Sequence, residues 1–286
     1  MIKKHIDGVS IFQFPKLAGL ADVRHGIFSR NTGESIGAYR SLNVSFDVGD
    51  DSRNVNQNRK IISRCIGEDD LVFIDQAHGT RVLKFKNESE VGMAAAVDDF
   101  SQDSHAYIKN GKNDVYASGS SDKLVGDAMV SNIRGKFLAI QVADCQSVLM
   151  YEPVRQVIAN VHAGWRGSIK NIVGLTIKTM ERKFGCYSRN IVAGISPSLG
   201  PCCAQFVNYQ KEIPAMYWKY KDDRDHFDFW SISRDQLCDA GVLIENIDVS
   251  QVCTKCDTGN FFSYRGENTT GRFAAVIGLT VNQASS

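Results

Sequence analysis

Three segments of the chain each place one soft or borderline metal ligand just beyond an apolar run: His78 after residues 71–75, Cys145 after 137–144, and His162 at the close of 157–161. Loops at strand ends converge in sheet proteins, so these side chains can meet. Two imidazoles and a thiolate with an open fourth position form the donor set of a catalytic zinc. The same residues support a second chemistry. A Cys145 thiolate with His78 or His162 as base and Asp144 as orienting acid is the arrangement of a cysteine hydrolase. Both readings use the thiolate, so spacing alone does not separate ligand from nucleophile. Taken singly, each residue also has an ordinary explanation as a hydrogen-bonded histidine or a packed cysteine. Asp144 likewise has a plain role, bonding backbone N–H groups in its turn.

Residues 164–168, Gly-Trp-Arg-Gly-Ser, lead from His162 toward a helical pattern, and the cation of Arg166 with free N–H groups there suits a phosphate or carboxylate. In the plainer reading of this turn, Ser168 caps the helix. Cys253-Thr-Lys-Cys256 offers a chelating pair, which makes a non-enzymatic, metal-stabilised binding module the alternative to an enzyme. The other close pair, Cys202-Cys203, is awkward for chelation because its members are adjacent, so a second zinc is not expected. Two His and a Cys also describe a single copper site. The 6 histidines contain no His-x-His pair, however, which excludes the imidazole-rich cluster of a multicopper oxidase and leaves copper only as a substitute metal.

The elements that must position these groups follow from pattern. Residues 23–30 alternate as a strand and 31–38 carry turn formers; 50–67 read as a helix that opens on acidic residues and stops at Gly67. Short apolar runs at 71–74, 137–142, 147–151, 157–161 and 191–195 read as strands. A helix is expected over 168–184, stopped by Gly185, another around 233–240, and a closing strand pair around 261–264 and 273–277. Residues 88–123 are polar and rich in Gly, Ser, Asn and Asp, and read as a surface insertion. No repeat or low-complexity linker divides residues 1–286, so the expectation is one α/β or α+β layered domain with mixed β-sheets flanked by helices.

Composition narrows the partners. Thirty-three Lys and Arg against 32 Asp and Glu give a net charge of +1, which supplies no bulk field for nucleic acid or an acidic membrane. A small-molecule or protein partner is the better expectation. No apolar leader or membrane-length run is seen, and 8 irregularly spaced cysteines fit reduced thiols in a cytoplasm better than a disulfide scaffold.

These residues carry a resemblance. Gln76-Ala-His-Gly79, Ala143-Asp-Cys145, His162-Ala-Gly-Trp-Arg-Gly167, and Phe262-Ser-Tyr-Arg265 followed by Thr270-Gly-Arg272 resemble the laccase-domain family, also labelled polyphenol oxidase. Upstream, His25-Gly-Ile-Phe-Ser-Arg30, Ser41-Leu-Asn43, Gly49-Asp-Asp51 and Asn58-Arg59 extend the match, in the family's order, over nearly the whole chain. The resemblance implies a zinc held by His78, Cys145 and His162, and activity as a purine nucleoside phosphorylase with adenosine deaminase activity. Adenosine, inosine and methylthioadenosine are the nucleosides implied, with phosphate as second substrate. Asn43, Arg59, Gln76, Arg166 and Arg265 are the expected substrate contacts, and Asp144 is the nearest candidate acid. The sequence departs from the family at Glu34, at Gly266, where a second Arg often follows the Tyr-Arg pair, and at Cys202-Cys203-Ala204-Gln205.

Overall fold

The central apolar runs become long strands buried along nearly their whole length, which requires cover on both faces. The structure, a computed structural model, describes residues 1–67, 70–86 and 124–281. The expected insertion at 88–123 lies outside the described residues. Two six-stranded mixed sheets stack face to face. The first runs β1 (Ile2–Ile6), β2 (Val9–Gln13), β3 (Val23–Phe28), β12 (Phe273–Leu279), β7 (Lys136–Val142), β4 (Asp70–Phe73). The second runs β11 (Ile247–Val249), β10 (Val192–Ile195), β8 (Gln146–Glu152), β9 (Val157–Ala163), β6 (Ala128–Ser131), β5 (Val82–Phe85). Among the described strand pairs, β4–β7, β5–β6 and β10–β11 are parallel and the others antiparallel. Two one-turn helices, α1 (Pro15–Ala18) and α5 (Tyr209–Glu212), lie in the β2–β3 and β10–β11 connections.

Alternation along each strand sorts side chains into three layers. Leu138, Ile140, Val142, Ala275 and Ile277 face Met129, Leu149, Tyr151 and Ile158 between the sheets. On the outer face of the first sheet, Phe73, Phe137, Ala139 and Val276 pack beneath α2 (Ser52–Ile66) through its Ile62, Cys65 and Ile66. Val130, Val148, Met150, Ala159 and Val161 do the same on the second sheet beneath α4 (Ile172–Phe184), through Ile172, Val173, Ile177 and Met180. Each such side chain contributes about 1.5–3 kcal/mol when fully buried, so the layers hold the strand ends in fixed relation. A polar stitch adds to them. Buried Asn160 of β9 donates to the carbonyls of Leu138 and Ala275, both at 2.9 Å, while its Oδ1 accepts from Ser147.

The mixed α/β architecture agrees with the sequence expectation, with local corrections. Helix α2 is capped by the Asp51 carboxylate and ends at Gly67 with φ 76°. The helix expected over 168–184 is two. A short α3 (Trp165–Ile169) stops before Asn171, which adopts φ 57° and caps α4 by accepting from the Gly174 N–H. Ser168 is therefore inside α3, not its cap, and its N–H bonds the carbonyl of Gly164. The strand expected at 261–264 is instead a buried turn into α7 (Tyr264–Glu267), capped by Ser263. Its aromatics mimic a strand because Phe261 fills the inter-sheet core, with ring centroids 5.4 Å from Phe12 and 5.0 Å from Phe273. The helix expected near 233–240 starts earlier, as α6 (Phe229–Asp239). Among the described residues no helix is long and apolar enough to cross a membrane.

Candidate metal centre and active-site cleft

His78, Cys145 and His162 come from three different strand ends, and the two sheets bring them together. His78 follows β4, Cys145 occupies the turn between β7 and β8, and His162 lies near the end of β9, paired across the ladder with Ser147. Their ligating nitrogen and sulfur atoms all lie within 4.8 Å of one another. The imidazole rings meet edge to face, centroids 4.7 Å apart. His162 is buried, Cys145 half-buried and His78 exposed, so the group has a protein side and an open side. Gly164 permits the approach. A Cβ there would stand 3.1 Å from the Cys145 sulfur and 3.2 Å from His78 Cδ2.

A fourth residue organises the group. Fully buried Asp127 accepts from His162 Nδ1 at 2.9 Å and from the backbone N–H groups of His78 and Gly79, each at 2.7 Å. That contact holds the Nδ1 proton on the carboxylate side and leaves Nε2 of His162 free to ligate. His78 is held by its backbone with φ 57°. Burial opposes ionisation of the Cys145 thiol, but His162 and His78 outweigh it and bring the group down to about 6. Burial also disfavours the charged form of His162, yet Cys145 and Asp127 raise it to about 9. Both shifts describe one arrangement, a thiolate beside a protonated imidazole. A divalent cation replaces such a proton when imidazole and thiolate become ligands. The donor set, the buried carboxylate behind it and the open side all fit a zinc-type ion.

The open side faces a cleft of about 520 Å³, within the range of small-molecule sites. Trp165, Phe206 and Phe229 line one part of it, and Arg166, Arg265 and Arg272 bring cations. Arg166 is exposed and stacks on Trp165, 4.2 Å from the ring centroid. Arg265 is exposed as well, with Nη1 donating to the carbonyl of Gln205 at 3.0 Å. Arg272 is more enclosed and donates to the carbonyls of Thr270 and Gly271.

The remaining sequence-expected residues divide. Asp144 lines the cleft, but its carboxylate accepts from Thr254 Oγ1 at 2.7 Å, Ser263 Oγ at 2.6 Å and the Arg265 N–H at 2.6 Å. It anchors the turn that carries Tyr264 and Arg265 to the cleft. Gln76 also lines the cleft and exchanges two hydrogen bonds with the backbone of Gln141. Asn43 and Arg59 lie outside the lining residues. Buried Asn43 accepts from the Arg272 N–H at 2.8 Å and so positions that arginine through its backbone. Arg59 is 7% exposed, donates to the Val44 carbonyl, and has its guanidinium 3.8 Å from the Phe73 centroid and 4.4 Å from that of Phe46. Both residues brace the fold beside the cleft.

Sequence reasoning passed over two positions that the structure places at the site. Asp127 follows the polar 88–123 stretch and carries no motif; only the pairing of Ala128 with Val161 brings it to His162. Arg272 had a signal, since Thr270-Gly-Arg272 is part of the resemblance.

Residues 24–280 match the family described as "Multi-copper polyphenol oxidoreductase laccase". A relative from Deinococcus radiodurans named "Purine nucleoside phosphorylase" is 30% identical, over 95% of this chain and 94% of that protein. "Purine nucleoside phosphorylase YfiH" of Escherichia coli is 29% identical, over 93% and 97%. Among solved structures, YlmD from Geobacillus stearothermophilus superposes with a TM-score of 0.78 at 26% identity, covering 97% of this chain and 98% of that one. A Bacillus licheniformis protein titled hypothetical protein YfiH gives 0.73 at 27% identity, covering 90% and 93%. With the matched region spanning most of its length and the fold shared throughout, the chain belongs to this laccase-like family.

Proposed function

We propose that this chain is a zinc-dependent purine nucleoside phosphorylase acting on adenosine, inosine and methylthioadenosine, with adenosine deaminase activity. The observation that carries the reading is the convergence of His78, Cys145 and His162 on one point beside a cleft that also holds three arginines. The names of the full-length relatives support it. In phosphorolysis a phosphate oxygen bonds to C1′ of the ribose as the bond from C1′ to the purine nitrogen breaks. The products are the free base and a ribose 1-phosphate. Arg265, Arg166 and Arg272 supply cations to hold hydrogen phosphate and orient the attacking oxygen, and the proton that phosphate gives up balances the one gained by the departing purine nitrogen. Asp144 and Asn43 act as positioning residues, fixing the backbones of Arg265 and Arg272 respectively. Trp165 and Phe206 present apolar surface to the base, and buried polar atoms without partners, Gln141 Oε1 and Gln146 Nε2, belong to residues lining the same cleft.

His78, Cys145 and His162 would hold the zinc, and Asp127 would fix the His162 tautomer. A zinc held there with an open position would lower the pKa of water to about 7 and would supply a nucleophile suited to C6 of adenine near neutral pH. Copper is a substitute for the same donors. Eight free thiols fit a cytoplasmic location.

One observation favours a second reading. Cys145, His162 and Asp127 form a thiolate, base and carboxylate chain of the kind found in cysteine hydrolases. His78 is then superfluous, whereas a metal site uses it. Incubation with adenosine, inosine and methylthioadenosine, with and without phosphate, distinguishes the activities by chromatography. Free base that appears only with phosphate supports phosphorolysis, and inosine formed from adenosine without phosphate supports deamination. Neither product, from protein whose metal content is verified, refutes the assignment.

A further inference from the structure

A second group of ligands lies beside the cleft and takes no part in the chemistry above. Cys202 and Cys203 sit in the turn after Gly200-Pro201, beyond β10, and Cys253 and Cys256 sit beyond β11. All four sulfurs lie within 4.8 Å of one another. The adjacency that made Cys202-Cys203 look unsuited to chelation is overcome by the backbone. The N–H groups of Cys203 and Ala204 both bond the carbonyl of Gly200, which curls the turn and sets both sulfurs toward Cys256, at 3.7 Å and 3.6 Å. Those separations have a clear meaning. A disulfide brings sulfurs to about 2.05 Å. Four sulfurs each about 2.3 Å from one central zinc stand roughly 3.7–3.8 Å apart, the edge of the tetrahedron.

Two further features match a thiolate site. Cys253, the buried member, accepts at its sulfur from the Gly200 N–H at 3.3 Å, a bond that stabilises a sulfur carrying negative charge. The backbone itself ties the segments together, because a bridge between Ser198 and Cys253 joins them and the Asp257 N–H closes the second turn on the Cys253 carbonyl. Gly200 allows this packing, since a Cβ there would meet Trp230 at 2.7 Å and Cys253 Cβ at 3.0 Å.

We propose that Cys202, Cys203, Cys253 and Cys256 bind a second zinc, tetrahedral, closed and structural, that fastens the two segments forming one wall of the cleft. Leu199 and Phe206 flank the first pair, and Tyr264 and Arg265 follow the second; all four residues line the cleft. Arg265 already bridges the segments by donating to the carbonyls of Cys203 and Gln205. Four thiolates select a soft, thiophilic divalent ion, and a site with no open position has none to offer a substrate.

Metal counting tests this independently of the His78, Cys145, His162 site. Total zinc is measured in wild type, Cys145→Ala, Cys256→Ser and the double variant. The expected result is that Cys256→Ser lowers zinc by about one per chain in both backgrounds, whatever Cys145→Ala does. Equal zinc with and without Cys256 overturns the proposal, as does iron in place of zinc. Failure of the cleft site alone appears as zinc that is unchanged by Cys145→Ala, a separate outcome. In case Cys256→Ser folds poorly, wild-type protein is alkylated with and without added zinc, and modified peptides are counted by mass spectrometry. Zinc should protect exposed Cys202 and Cys256. Equal labelling in both conditions overturns the site.

Discussion

The two ligand groups differ in every respect that separates a working ion from a structural one. His78, Cys145 and His162 come from strand ends fixed by packed sheets, number three, and open on a cleft with cations and aromatics. The cysteine group comes from two turns, numbers four, and closes on itself. Ligand number decides the role: a fourth protein ligand excludes substrate, and a missing one admits it. Support differs as well. The strand-end site stands on two packed sheets, whereas the turn site joins two loop segments, so losing the ion should cost activity in one and stability in the other.

The largest contrast is expected from Cys145→Ala. It should abolish turnover and release the cleft zinc with little change in melting temperature. A large fall in melting temperature with turnover retained would reverse the roles assigned to the two groups. Asp127→Asn comes next. Loss of the carboxylate behind His162 should weaken metal binding or activity about 10- to 100-fold, as read by zinc titration of the apo protein. An unchanged affinity would show that Asp127 only shapes the backbone of residues 78 and 79.

Arg265→Ala should raise the apparent KM for phosphate about thirty-fold, on the order of 2 kcal/mol, with a smaller effect on nucleoside. Arg59→Ala gives the opposite pattern, a lower melting temperature with phosphate KM intact, because its guanidinium is stacked between Phe46 and Phe73. Equal effects on phosphate KM in the two variants would count against the division of the arginines.

The last effect concerns pH and bears on stability alone, outside both groups. His25 is 1% exposed and its Nε2 accepts from the Phe14 N–H at 2.8 Å, so the folded state holds it neutral. Burial, aided by Lys4, depresses it from 6.5 to about 4. Between those values the unfolded chain binds the proton and the folded chain does not. This contribution to stability is therefore present above about pH 6.5 and fades as pH falls toward 4, by up to roughly 3 kcal/mol. Urea melts of wild type and His25→Gln at pH 7 and pH 5 measure it. Parallel acid losses in the two proteins would exclude His25 as the source.

Much of this arrangement was legible in the sequence because its signals are local. The strands carrying Cys145 and His162 announce themselves as apolar runs, and α2 by Asp51 and Gly67 at its ends. What escaped depends on register between distant segments. Asp127 reaches His162 through the antiparallel pairing of β6 with β9, and Arg59 packs against Phe46 and Phe73, which no spacing rule connects to it. Cys202-Cys203 misled for a related reason. Adjacent side chains diverge in extended chain, and only the turn closed on the Gly200 carbonyl turns both sulfurs one way. Phe261 and Phe262 read as strand from side-chain type, although a buried turn satisfies the same aromatics.

The most direct test of the central claim is inosine turnover in phosphate as metal is removed and returned. Wild-type and Cys145→Ala protein are stripped by chelation, checked for metal and for folding, and titrated with zinc while free base is measured. The account predicts that the stripped wild type stays folded and inactive, that zinc restores phosphate-dependent release of base, and that Cys145→Ala recovers nothing. Full turnover by metal-free wild type would contradict it and leave Cys145 as a nucleophile.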